Sequence, residues 1–536
     1  MKKDLSLITM SIAALVLTMP FCRAQIIPHP QSIEYGSDLF EIKSGIEIIA
    51  DLGLHHEAAY LAEFLEKGFG EKSNISKIGN GIILSMEEGL YELYGKEGYQ
   101  LIINDQSLSI MAATSTGVFY GIQSLKQLFP TDFECGYADK FVAISSVEII
   151  DKPRFSWRAF MLDESRHFMG IEQVKKMLDQ MAALKMNTFH WHLTDDQGWR
   201  IEIKKYPKLT SKGSVRNDTQ VERNSEKRFG KPHEGFYTQV EIKEIITYAK
   251  DRHITIVPEI EMPGHAMAAI AAYPWLGSLG TTTQVPETFG KMPDSFNVAD
   301  AKVVSFLLDV LDEVIALFPG QTIHIGGDEV NYQPWENDET VKEFMAKQNL
   351  NSPVDLQIYF TNQVSNYLES AGKRMMGWNE IMGDDIHEER EASDQAVEQK
   401  LAASSIVHFW KGDLSLIQKA VMDGYQVVNS NHWDTYLDYT YERLPISKSY
   451  AFNPIPEGLE EKYHSKILGT GTQIWTEYTP TIETLERQVF PRLIAYAEVG
   501  WTFLENKDFE RFQKNLSKYK ERLQANQIQF HEEMDQ

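Results

Sequence analysis

The chain has 536 residues, 43% of them hydrophobic, and a formal net charge of −25. That length exceeds one ordinary domain but suits a large barrel with a smaller unit, and the hydrophobic share supports a sizeable core. So acidic a chain disfavours nucleic acid and anionic membrane as partners, and no apolar run beyond the first residues is long enough to span a bilayer.

Residues 1–24 read as a signal peptide, with Lys2 and Lys3 ahead of an apolar run over 5–17 and Cys22-Arg23-Ala24 as the cleavage site. Met19-Pro20-Phe21 is a poor approach to a lipid-modified cysteine, so simple cleavage before Gln25 is favoured over anchoring at Cys22. The expectation is export, to the periplasm or outside the cell. Only Cys135 is left after cleavage, so no internal disulfide can form; the thiol is expected to be buried and without a role.

Residues 25–150 read as a small α+β domain, with a strand at 46–49, an amphipathic helix at 55–67, alternating strands at 99–103 and 108–112, and a helix over 118–128. No cluster of acids, histidines or cysteines in it suggests chemistry. Asp151-Lys152-Pro153 marks a boundary.

From Phe155 the pattern changes to short apolar strands at 159–163, 188–193, 255–258, 322–325, 374–377, 405–409, 426–428 and 467–474. Between them lie helical segments at 171–183, 240–251, 303–317, 355–371, 414–422 and 484–499, the second opened by a capping box, Thr238 with Glu241. Eight strands alternating with helices, without a dinucleotide-binding glycine fingerprint, predict a (β/α)8 barrel over 151–510 rather than a doubly wound sheet. Residues 511–536 read as a charged C-terminal helix and tail.

In such a barrel the chemistry sits at the carboxyl ends of the strands. There the sequence places Asp163 to Arg166, His190 to Asp196, Glu259 to His265, Asp328-Glu329, Trp378-Asn379-Glu380, Trp410, Tyr436-Leu437-Asp438 and Trp475-Thr476-Glu477. Aromatic rings stack on sugar C–H faces, and acids and arginine bind hydroxyls, so the set describes a sugar pocket. The centre of it is Gln-Thr-Ile-His-Ile-Gly-Gly-Asp-Glu-Val over 321–330. Two adjacent carboxylates in a partly dry cleft repel, so one tends to hold its proton, as a general acid must; taken alone, Gly-Gly-Asp-Glu also suits a solvated turn.

Glycoside hydrolysis commonly uses two carboxyls about 5–5.5 Å apart for retention or about 6.5–9.5 Å apart for inversion. Sequence neighbours on a strand point to opposite faces, which places Asp328 and Glu329 awkwardly for flanking one sugar. A 2-acetamido group acting as nucleophile, with one carboxylate orienting it and the other serving as acid and base, removes that difficulty.

With these stretches in order, the chain resembles the β-N-acetylhexosaminidases of glycoside hydrolase family 20. The matching segments are 158–168, 190–196, 258–265, 324–330, 378–380, 436–438 and 475–477; Ile27-Pro28-His29-Pro30 and 117–123 resemble the family's small N-terminal domain. The resemblance implies an exo-acting hydrolase in which Glu329 is the general acid/base and Asp328 orients the acetamido group. It implies that Tyr436 bonds the acetamido carbonyl, that Trp378, Trp410 and Trp475 wall the sugar, and that Arg166, Glu477 and Asp438 grip its outer hydroxyls. Asp195 and His265 would tune Glu329 by hydrogen bonding. No cofactor or metal is implied, and the partner is a glycan or chitooligosaccharide. Ala159 and Glu234 depart from glycines frequent in the family, the latter in a charged 205–238 segment (Arg216, Arg223, Lys227, Arg228) that either borders the leaving-group side or is simply solvated.

Two rival readings belong to other classes. His190-Trp191-His192 puts two imidazoles on one side of a strand, as in metal-dependent amidohydrolases, but strands five and eight then end in tryptophan and the Asp328-Glu329 pair is left without purpose. A sugar-binding protein that has lost the reaction would not need Asp328, Glu329 and Tyr436 together.

Overall fold

The computed structural model describes residues 26–137, 139–290, 292–384 and 400–532. The signal-peptide reading, Cys22 and residues 533–536 of the tail lie outside them.

The first domain is a seven-stranded mixed sheet in the spatial order Ser32–Lys43, Phe141–Asp151, Tyr99–Ile103, Leu108–Ala112, Gly81–Met86, Glu47–Ala50 and Ile75–Ser76. Strand alternation sets its faces: Tyr99, Leu101 and Ile103, and opposite them Leu108, Ile110 and Ala112, are buried, while the residues between are half-buried. Helices His55–Phe69 and Ser115–Leu128 pack with these strands. The second begins at Thr114, whose hydroxyl accepts from the Gly117 N–H at 3.2 Å.

The second domain is a closed barrel of eight parallel strands: β1 (Trp157–Asp163), β2 (Thr188–His192), β3 (Thr255–Glu259), β4 (Thr322–His324), β5 (Arg374–Trp378), β6 (Ile406–Phe409), β7 (Gln426–Asn429) and β8 (Ile467–Ile474), with β8 pairing back to β1. Helix Gln239–Lys250 carries the capping box, with both the Thr238 and Glu241 side chains engaged. The helix expected over 484–499 is two, Ile482–Val489 and Arg492–Trp501, interrupted at Phe490-Pro491 because proline has no N–H to continue the ladder.

The domains meet over a buried ion pair. Lys185 Nζ lies 2.9 Å from Asp151, which also accepts from Tyr99 Oη at 2.8 Å and Trp501 Nε1 at 2.9 Å. Helix Phe509–Ala525 closes the seam, burying Phe512, Leu516, Tyr519 and Leu523 on one stripe. Its Arg522 donates to the carbonyls of Gln127 and Phe129 in the first domain at 2.9 and 2.6 Å, and its Arg511 pairs with Glu498 of the barrel. Cys135 is exposed rather than buried: it ends the short turn Phe133–Cys135 beside this helix, with Sγ 3.2 Å from the Ala525 carbonyl oxygen. Among the described residues no helix is long and apolar enough to cross a membrane.

Candidate active site

Register decides which side chains meet at the top of the barrel. Asp163 pairs with His192, His192 with Glu259, and Glu259 with His324, so four consecutive strands bring these residues into one layer. Glu259 is its anionic hub: His192 Nδ1 lies 2.5 Å away, His190 Nε2 2.9 Å and His324 Nδ1 2.9 Å. Burial disfavours charge on both strand-two histidines, but Glu259 and Asp195 overcome it for His192, raised to about 10, whereas His190 is left lowered to about 4. The paired imidazoles that suggested a metal thus sit against carboxylates. His324 continues inward to His408 at 3.2 Å, and His408 to Ser430 at 2.8 Å.

Strand β4 stops at His324, earlier than the pattern suggested, and Gly326 and Gly327 turn with φ of 66° and 92°. A side chain at Gly326 is excluded twice, by that φ and because its Cβ would lie 1.8 Å from Glu261 Oε2. Glu329 follows at φ 47°, left-handed backbone that costs a non-glycine residue roughly 1–3 kcal/mol. The strand rule that separates neighbouring side chains therefore does not govern Asp328 and Glu329. Both point at one imidazole, with His265 Nε2 3.7 Å from Asp328 and 3.8 Å from Glu329. Their depths differ: the Asp328 side chain is 10% exposed and that of Glu329 39%.

His265 is fastened from the other side, its Nδ1 3.1 Å from both Asp195 and Asp196. Burial opposes its charge, yet Asp195, Asp196 and Asp328 around it hold its pKa well above the usual range. Asp195 is buried too, but the charges of Arg166 and His265 keep it ionised far below an ordinary carboxyl. Arg166 reaches Asp195 at 2.7 Å, Asp163 at 3.3 Å, the Gln197 side chain at 3.1 Å and Glu477 at 4.0 Å, with its guanidinium 4.9 Å from the centre of the Trp475 ring.

Arg166, Asp195, His265, Asp328 and Glu329 line a cavity of about 200 Å³ with Trp410, Tyr436, Asp438, Tyr439, Trp475, Glu477 and Glu261. Trp410 and Tyr436 stand nearly parallel, 9° apart in plane, and Tyr436 lies 6.0 Å from Trp475. Trp378 is beneath them rather than in the wall: it is 1% exposed, stacked on His408 at 4.2 Å and 6.1 to 6.3 Å from Trp475 and Trp410. Asp438 and Glu477 are both raised, by burial first; Asp438 reaches about 7 with the Glu477 charge added.

Several neighbours carried no assignment from sequence. Asp196 shares His265 with Asp195, and Tyr439 follows Asp438 into the wall, adjacency being the only signal for either. Arg216, expected among solvated charges, is buried and donates to the carbonyls of Arg166 and Gln197 at 2.6 and 3.0 Å, so the 205–238 segment buttresses the site. Arg223 and Lys227 are exposed, Lys227 paired with Glu222 at 2.9 Å.

Comparison with known proteins agrees with this arrangement. Residues 155–503 match the model of the glycosyl hydrolase family 20 catalytic domain, and residues 23–152 match domain 2 of that family. A β-hexosaminidase of Porphyromonas gingivalis is 36% identical over 526 residues, covering 94% of this chain; the chain spans 64% of that protein's length. The β-N-acetylhexosaminidase of Bacteroides fragilis superposes with a TM-score of 0.79 at 31% identity, covering 95% of this chain and 97% of that one. An exo-β-N-acetylglucosaminidase of Vibrio harveyi in complex with N-acetylglucosamine superposes at 0.82 with 29% identity, covering 95% and 79%. Two family models spanning nearly all of the sequence and a barrel that gathers Asp328, Glu329 and Glu477 at its mouth lead to one conclusion: the chain belongs to glycosyl hydrolase family 20.

Proposed function

We propose that this chain is an exo-acting, retaining β-N-acetylhexosaminidase that removes a terminal, non-reducing β-linked N-acetylhexosamine, with the substrate's own 2-acetamido group as nucleophile. The observation that carries this reading is the difference in depth between the two carboxylates that share His265. Asp328, buried near Tyr436, faces the position of an acetamido group at the pocket floor; Glu329, half-exposed at the mouth, faces the glycosidic oxygen. Asp328 orients the acetamido N–H while Tyr436 holds its carbonyl, and that oxygen attacks the anomeric carbon as Glu329 protonates the departing oxygen. Water then opens the cyclic intermediate with Glu329 as base, and the β configuration is retained. The small cavity, closed by Arg166, Asp438 and Glu477, has room for one sugar, which makes the cleavage exo. The N-acetylglucosamine complex of the Vibrio harveyi relative supports the same occupant here.

The test is release of an aryl group from aryl β-N-acetylglucosaminide beside the matching β-glucoside, with and without chelator. Cleavage of the acetamido sugar alone, unchanged by chelator, is expected; loss of activity with chelator would return the histidine layer to consideration as a metal site. Export is part of the proposal, supported by Lys2, Lys3, the apolar 5–17 run and the cleavage pattern ahead of Gln25. An N-terminus beginning at Met1 in the protein recovered from its native cells would refute it.

A further inference from the structure

Glu380 is a buried carboxyl with no place in the reaction just described. It stands one residue after Asn379 in the turn that leaves β5, and both its oxygens accept from the indole N–H of Trp410, at 3.1 and 2.9 Å. Asn379 holds the same residue by its backbone, its side-chain oxygen accepting from the Trp410 N–H at 3.0 Å. Two consecutive residues of one strand end therefore clamp a tryptophan supplied by the next strand. Trp410 in turn stands nearly parallel to Tyr436, and both line the sugar pocket.

We infer that Glu380 is a positioning residue, which fixes the indole of Trp410 as a wall of the sugar pocket. The inference rests on the functional reading above. An ionised carboxylate would be the stronger acceptor, but here it would be a third anion beside Asp328 and Glu329. The charges that raise Glu380 belong to those two carboxylates, and the groups that bond its side chain among the described residues, the Trp410 indole and its own backbone N–H, are neutral. Burial and then the Asp328 charge push its pKa up to about 8, against the hydrogen bond from Trp410, which lowers it. The titratable groups around the pair include Asp328 and Glu329, whose charges act on Glu380, His432 and Tyr436 from the β7 loop, with ring centres 5.8 and 6.3 Å from that of Trp410, and Lys411, whose Nζ lies 5.4 Å from the Trp410 ring centre.

The test compares Glu380→Gln, Glu380→Ala, Trp410→Phe and the double variant Glu380→Ala/Trp410→Phe on an aryl β-N-acetylglucosaminide. Glutamine keeps an acceptor for the indole N–H, so KM should rise by no more than about 3-fold. Alanine and the ring without its N–H should each raise KM by about 10-fold or more, with a smaller change in kcat. The double variant should be no worse than the weaker single one, since both remove the same bond. Additive losses or equal damage by glutamine and alanine would overturn the proposal. Binding of N-acetylglucosamine, followed by tryptophan fluorescence in the same proteins, separates failure of the wall from failure of the hydrolytic reading: wild-type hydrolysis tests only the latter, and affinities that do not follow the KM order overturn the former.

Discussion

At the residue scale the site divides labour by depth. Glu329→Gln should lose at least about 100-fold on substrates with poor leaving groups and far less on activated aryl glycosides, because a good leaving group needs little help from an acid. Asp328→Asn should lose heavily on both, since the acetamido attack itself suffers; equal behaviour of the two variants across leaving groups would contradict separate roles. Asp195→Asn removes the chief charge that keeps His265 protonated. The raised pKa means that His265 stays cationic through neutral pH in the native enzyme, so in the variant it discharges earlier. The alkaline limb of kcat/KM should then move down by about one pH unit or more, which a pH series on the activated substrate measures. The carboxylates, Tyr436 and Arg166 were legible in the sequence because each follows the carboxyl end of a barrel strand. Arg216 was not: it comes from a long connecting segment whose path the strand pattern does not fix, and only the fold shows it bonding the Arg166 carbonyl.

At the scale of elements, the periodicities that reveal a strand or a helix say little about where it stops. The ends at Asp163 and Ile474 agree with the pattern, since β1 and β8 run to polar or aromatic residues at the rim. The end of β4 does not, because Ile325 continues the apolar alternation while the backbone has already turned toward Gly326. That turn carries the site. Gly326→Ala should destabilise the fold by about 2–4 kcal/mol, combining left-handed backbone with an overpacked contact against Glu261, and abolish activity even where some protein folds. Denaturant unfolding read beside activity checks both parts. The break at Phe490-Pro491 was visible as a proline, but the 3.6-residue pattern on either side masked it.

For the whole molecule, the accessory domain is bound to the barrel by buried polar contacts as well as apolar ones. Lys185→Met strands Asp151 as an unpaired buried anion between Tyr99 and Trp501, and should cost about 3–5 kcal/mol, seen as a fall in Tm without a matching change in KM. The two-domain division was legible from the change of pattern near Asp151, whereas the route of helix Phe509–Ala525 across both domains was not, since an amphipathic stripe names no partner. The barrel interior has a further use that its chemistry does not require. The imidazoles from His192 through His324 to His408 are shut away from solvent and joined by close contacts, so their ring protons exchange slowly and should give separate downfield proton NMR lines. Filling the pocket changes the field at Asp328 and is felt by His265 and His192 before His408, so the order in which those lines shift is a label-free gauge of how deeply a ligand has entered.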